Sequence, residues 1–190
     1  MKKKEKPMAK STTKTSKNIT NLPVKTRGRS TSGLHKSSVD MGDNVRAQSC
    51  AVLNQTLANI TDLMLRTKEA HWNVRGPNFI QLHLFFDELN TVVSPLVDEV
   101  AERITALGGK ANGRLSDAAS SSTLPEYPET TDEATHLQAL TVSFAALANE
   151  CRENIEKTDD FDDEGTSDLY TSMTRTLDKY LWMIEAHIIH

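Results

Sequence analysis

Apolar residues recur every three or four positions in four stretches of this chain, which is the period of one face of an α-helix. The first stretch spans about residues 43–73, and the second spans residues 79–107 and stops at a Gly108-Gly109 pair. The third follows residue 133, and the fourth runs from residue 169 to the C-terminus. No segment alternates apolar and polar residues over the length of a strand. The pattern therefore predicts an all-α protein with four long helices.

The connection between the second and third stretches, residues 110–129, is too long for a hairpin loop and contains Ser, Pro and Gly. Within this connection we predict one short helix, at about Leu115–Ser121. Four long helices with one long crossover are typical of a ferritin-like four-helix bundle, in which the helices pair as two antiparallel hairpins. We therefore predict such a bundle over residues 41–190. The apolar fraction of 37% is low, which favours an oligomer that buries further surface between subunits.

Charge divides the chain into a basic tail and an acidic body. Residues 1–36 hold eleven Lys and Arg against one acid, Glu5, whereas residues 37–190 hold eleven against twenty-five. Residues 1–40 also lack an apolar period, so we predict a disordered basic tail there. A tail of this charge fits the phosphates of DNA. A solubilising segment and a processed targeting segment are the alternatives.

The sequence predicts no membrane partner. No stretch approaches the roughly 18 apolar residues of a spanning helix, and no apolar run follows the charged N-terminus. We expect a cytoplasmic location, with association to the nucleoid if the tail binds DNA. Cys50 and Cys151 fall on apolar stripes, so we expect core residues rather than a disulfide.

Two pairs of polar residues share one face of the second helix. His83 and Asp87 are one turn apart, as are Asp98 and Glu102, and all four fall within an arc of about 100°. His83 and Asp98 are separated by about 22 Å of helix, far beyond the reach of one metal ion. If the second helices of two copies pack antiparallel across a twofold axis, one pair meets the other pair of the partner chain. The spacing therefore predicts a metal site that two subunits share.

His71 lies at the end of the first helix, and the hairpin brings the second helix back past this residue. His71 is therefore placed to supply a further nitrogen ligand to the metal site. Two imidazoles and three carboxylates suit iron or manganese, and they also accept zinc. The alternative is a solvated carboxylate face with a histidine that binds nothing.

Other polar residues have simpler explanations. Thr130 and Glu133 predict a capping box at the start of the third helix, and His136 is expected to be exposed in its first turn. The acidic residues 159–164 predict a solvated loop, with the lining of an ion channel as the alternative. Weak metal binding is an alternative for three histidines near the chain ends: His35, His187 and His190.

Five motifs follow one another along the chain, and the first three contain the candidate residues. The motifs are KEAHWNVRGPNF at 68–79, HLFFD at 83–87, DEVAER at 98–103, LGG at 107–109 and LDKYLW at 177–182. Together they resemble the Dps family, the mini-ferritins named as DNA-binding proteins from starved cells. The resemblance covers about residues 43–189. The tail is longer than the short basic arm of typical DNA-binding members.

The resemblance implies a shell of twelve subunits with ferroxidase centres at the twofold interfaces. There Fe(II) is oxidised, preferentially by hydrogen peroxide, and the ferric product is stored inside, which protects DNA from oxidative damage. The resemblance assigns His71, His83 and Asp87 to one subunit and Asp98 and Glu102 to its partner. It also places Trp72 beside the centre, with a hairpin-packing aromatic as the alternative. A nucleoid-structuring protein that binds DNA through residues 1–36, with metal oxidation secondary, is the competing function.

Overall fold

The computed structural model describes residues 33–188, and within that range the chain forms five helices and no strand. The helices are α1 (Asp43–Asn73), α2 (Phe79–Ala106), α3 (Leu115–Ser121), α4 (Glu133–Asp159) and α5 (Glu164–Glu185). The main packing pairs are α1 with α2 and α4 with α5, so the chain folds as two antiparallel hairpins joined by the crossover that contains α3. The predicted all-α bundle and its short crossover helix are confirmed. Residues 1–32, most of the predicted tail, and residues 189–190 lie outside the described range.

The core lies along the apolar faces of the four long helices. Phe86 of α2 and Phe144 of α4 are fully buried, and burial of each such side chain stabilises the fold by about 1.5–3 kcal/mol. Cys50 and Cys151 are buried free thiols, as predicted. Burial raises the pKa of Cys151 to about 12, so that thiol stays neutral and acts as an apolar core group. Within residues 33–188, no helix combines the length and apolar character that crossing a membrane requires.

The segment before α1 packs against the end of α2. The His35 amide donates to the Gly108 carbonyl at 2.7 Å, and Leu34 is buried in the core. Gly108 adopts a left-handed φ of 84°, which ends the helix and allows the close approach of the His35 carbonyl. Arg46 then donates to the Leu107 carbonyl at 2.9 Å. Leu34 and His35, which the sequence pattern assigned to the tail, therefore pack against the bundle.

The start of α4 differs from its prediction. Asp132 is the N-cap, and its carboxylate accepts from the Thr135 amide at 2.9 Å. Glu133 instead accepts from the backbone amide and the side-chain amide of Asn78, at 3.1 and 2.9 Å. The predicted capping box of Thr130 and Glu133 is therefore wrong, because the Glu133 carboxylate ties α4 to the turn between α1 and α2.

His136 is buried, so the prediction of an exposed first-turn residue is wrong as well. Its Nδ1 lies 2.8 Å from the hydroxyl of Tyr127, a residue of the crossover that covers this turn of α4. Burial lowers the pKa of His136. The ring is therefore a neutral packing group rather than a surface charge.

The acidic segment at 159–164 is only partly solvated. Asp163 is buried, caps α5 by accepting from the Thr166 amide at 3.0 Å, and pairs with Arg103 of α2 at 2.6 Å. Burial by itself would raise the pKa of Asp163, but its interactions with Ser49, Thr166 and Arg103 together outweigh burial and lower that pKa. Asp163 thus has a structural role, whereas Asp159, Asp160, Asp162 and Glu164 are exposed.

Candidate metal centre

His71 and His83 form the centre of the candidate site. Their rings stack with centroids 3.9 Å apart and planes inclined by 20°. His71 Nδ1 lies 2.7 Å from the His83 carbonyl oxygen, and His83 Nδ1 lies 2.8 Å from the His71 carbonyl oxygen. Because a carbonyl oxygen only accepts, both Nδ1 atoms must donate, and the neutral rings carry their free lone pair on Nε2. That tautomer is the one a histidine needs to bind a metal through Nε2.

The hairpin turn produces this arrangement from local sequence. His71 lies in the last turn of α1, and His83 lies in the second turn of α2, so the short connection brings the two turns side by side. A Cβ atom at Gly76 would collide with the Glu133 carboxylate, so another residue there would displace that carboxylate from its bonds to Asn78. The ring of Phe79 also stacks on His83, at a centroid distance of 5.2 Å. Both imidazoles are therefore held in orientation before any ligand arrives.

Asp87 lies one turn beyond His83, and an ion pair connects it to Lys68 of α1. The hydrogen bond from Lys68 is the main cause that lowers the pKa of Asp87, and the charges of Lys68, His71 and His83 act in the same direction. The carboxylate is thus ionised at neutral pH. Sequence reasoning missed Lys68 as a neighbour of the site. Its position one turn before His71, on the face of α1 that meets α2, was the available signal.

Asp98 and Glu102 lie farther along α2 and are exposed. Among residues 33–188, no hydrogen bond or ion pair engages their carboxylates, and no three His, Cys, Asp or Glu side chains converge closely enough to hold a metal ion. The structure therefore brings His71, His83 and Asp87 into one region and leaves Asp98 and Glu102 apart from it. The region of His71, His83 and Asp87 is called the half-site below, because the predicted centre needs a second chain to complete it.

Large apolar side chains surround the half-site on the surface. Trp72 is 67% exposed, so it does not pack within the hairpin. Phe79, Ile80 and Leu84 are exposed as well, at the start of α2. An apolar surface of this kind is typical of a region that another protein surface covers.

The other histidines of residues 33–188 take no part in this arrangement. His35 is exposed near the end of α2, and its backbone amide donates to the Gly108 carbonyl. His187 is exposed at the end of α5, where its Nδ1 donates to the Met183 carbonyl at 2.7 Å and its ring stacks on Phe85. His190 lies outside the described residues.

Comparison with known proteins identifies the chain. The sequence model of the family described as Ferritin-like domain matches residues 50–189. The chain is 39% identical over 155 residues to the DNA protection during starvation protein of Agrobacterium fabrum, covering 81% of this chain and 96% of that protein. It is 30% identical over 148 residues to the protein of the same name from Brevibacillus brevis, covering 78% and 99%.

Solved structures agree with these relatives. DpsC from Streptomyces coelicolor superposes with a TM-score of 0.79 at 32% identity, over 83% of this chain and 92% of that chain. The Dps protein of Vibrio cholerae, described as a member of a broad superfamily of ferritin-like diiron-carboxylate proteins, gives 0.75 at 29% identity, over 78% and 94%. The fold and the sequence therefore define a ferritin-like protein. Within that class, the chain belongs to the Dps family, which confirms the resemblance found in its motifs.

Proposed function

We propose that this chain is the subunit of a mini-ferritin that oxidises Fe(II) at centres shared between subunits and stores the ferric product in a shell. Family membership supports iron storage, iron oxidation and DNA protection as the general role. The observation that carries the proposal is the His71–His83 pair, in which two reciprocal hydrogen bonds to backbone carbonyls leave a free lone pair on both Nε2 atoms for a metal ion. His187 makes a single bond of this kind, whereas His71 and His83 make it reciprocally and with their rings stacked.

The proposed centre takes His71, His83 and Asp87 from one subunit and Asp98 and Glu102 from its partner. His83 and Asp98 are separated by about 22 Å along one α2 helix, so only a second chain brings them together. The exposed apolar side chains around Trp72 supply the surface that such a partner covers. The proposed assembly is a homo-oligomer, the shell of twelve subunits expected for the family, located in the cytoplasm.

The donor set fits iron as a substrate. Imidazole nitrogens bind Fe(II) well, and carboxylates offset the additional positive charge of Fe(III). Zinc and manganese accept the same donors and would compete for them. Each Fe(II) gives up one electron, and hydrogen peroxide, the proposed preferred oxidant, takes two. Oxidation of two Fe(II) therefore breaks the O–O bond of one peroxide and, with two protons, yields two waters and no hydroxyl radical.

A second candidate function is favoured by the charge of the N-terminal segment. Residues 1–36 carry a net charge of +10 on an otherwise acidic chain. Several such segments displayed on one shell would contact many phosphates, so the protein would also bind DNA and associate with the nucleoid. In this alternative the chain chiefly structures DNA, and iron oxidation is secondary.

Stopped-flow oxidation of Fe(II) by hydrogen peroxide tests the proposed centre. His83→Ala removes a proposed ligand from a partly buried position without interrupting an apolar stripe, so it should abolish the fast phase and leave helicity unchanged. His187→Ala is the matched control, since this exposed histidine has the same Nδ1-to-carbonyl bond outside the site. If His83→Ala oxidises Fe(II) as rapidly as the control, the proposed centre is wrong.

A further inference from the structure

Lys68 forms an ion pair with Asp87, whose carboxylate the proposed centre needs as a metal ligand. Its ammonium pairs with Asp87 between α1 and α2, while the two side chains remain 31% and 47% exposed. His71 lies one turn after Lys68, and His83 lies one turn before Asp87. The ion pair is thus on the same side of the hairpin as the two imidazoles, and a cation bound by Asp87 has to share its oxygens with the ammonium.

Stability of the hairpin does not account for this pair. Partly exposed ion pairs contribute little to folding, because water screens the attraction and both long side chains lose freedom. The hairpin is already held by fully buried side chains such as Leu63, Phe86 and Leu89. A methionine at position 68 would keep most of the aliphatic contact of the lysine stem. What it could not replace is the positive charge beside the two histidines.

We propose that Lys68 acts as a built-in competitor of the metal at Asp87, so that it weakens the binding of divalent cations to the shared centre. The inference rests on the function proposed above. In the metal-free assembly, Asp87 meets Asp98 and Glu102 of the partner subunit, and the ammonium offsets part of their mutual repulsion. When a cation binds, the same ammonium lies near it and repels it. The consequence is a centre that holds its shape when empty and releases its ion readily, as a protein that passes iron on to a store requires.

The test is a calorimetric titration of the metal-free full-length protein with zinc, which binds the same donors without redox chemistry. Lys68→Met and Lys68→Gln remove the charge and should bind zinc about tenfold more tightly than the wild type, the effect of removing a nearby like charge at a partly exposed site. Lys68→Arg keeps the charge and should match the wild type. Lys157→Met is the control, since Lys157 is an exposed lysine of α4 that pairs with Glu153 at 3.5 Å, away from the proposed centre.

Two measurements separate this inference from its alternatives. If Lys68 only joins α1 to α2, Lys68→Met and Lys68→Gln will lower the melting temperature and leave the zinc affinity unchanged, which overturns the proposal. Titration of His83→Ala identifies the zinc that belongs to the centre. If that variant binds zinc as the wild type does, the proposed centre itself is wrong and the inference falls with it. If His83→Ala loses the zinc while the uncharged Lys68 variants bind it no more tightly, only the role of Lys68 is refuted.

Discussion

Complementation between two inactive variants tests whether each centre is shared by two chains. Asp87→Ala damages the half-site that contains the histidines, and Glu102→Ala damages the other half of the proposed centre. In a mixed dimer of these variants, one centre combines both defects, whereas the other takes an intact half from each chain. A single chain cannot account for such a recovery, since Asp87 and Glu102 are about 22 Å apart along one α2 helix.

The expected recovery follows from the twofold arrangement. When equal amounts of the two chains pair at random, half of the dimers are mixed and each contains one intact centre, so about one quarter of all centres are restored. Each parent alone should lack fast oxidation, because all of its centres have lost a carboxylate. The co-assembled protein should therefore oxidise Fe(II) in the stopped-flow assay with about one quarter of the wild-type amplitude, a fraction set by the same pairing.

A matched mixture supplies the control. Asp87→Ala and His83→Ala affect the same half-site, so no mixed dimer of these two variants contains an intact centre. Mass spectrometry of the intact assemblies would establish that the chains have mixed in both experiments. The shared centre is refuted if the Asp87→Ala and Glu102→Ala mixture regains no more activity than this control mixture.

Two further predictions concern the tail and the fold. Deleting residues 1–32 leaves the buried Leu34 in place and removes ten Lys and Arg with Glu5, so it should abolish salt-sensitive DNA binding and spare Fe(II) oxidation. Gel shifts at about 50 and 200 mM salt measure the DNA binding and its dependence on salt. Equal binding by the truncated and full chains would show that the tail does not bind DNA. Asp163→Asn should destabilise the fold by about 2 kcal/mol in urea unfolding near pH 7, because it weakens charged hydrogen bonds at a buried site. The folded-state pKa of Asp163 is lowered, so this difference should be complete above about pH 5 and shrink as the pH falls below about 4. A difference that grows in acid would contradict the role of Asp163.

The helices and the histidine pair follow from short-range sequence patterns. An apolar period of three to four residues defines a helix face wherever it occurs, and the bounds predicted for α1 and α3 agree with those observed. A short turn that joins two antiparallel helices must bring its flanking turns together. The proximity of His71 and His83 was therefore predictable, since it depends on sequence positions only twelve residues apart.

Only the tertiary structure determines which polar residues pair with each other across the bundle. Glu133 bonds to Asn78, Arg103 pairs with Asp163, and neither pair shares a helix. A residue's type shows that it needs a partner when buried, but the partner depends on how each helix is rotated and where the loops cross it. Lys68 is the clearest case: it begins one of the sequence motifs but was not predicted to lie at the site, and only the packing of α1 on α2 sets its ammonium against Asp87.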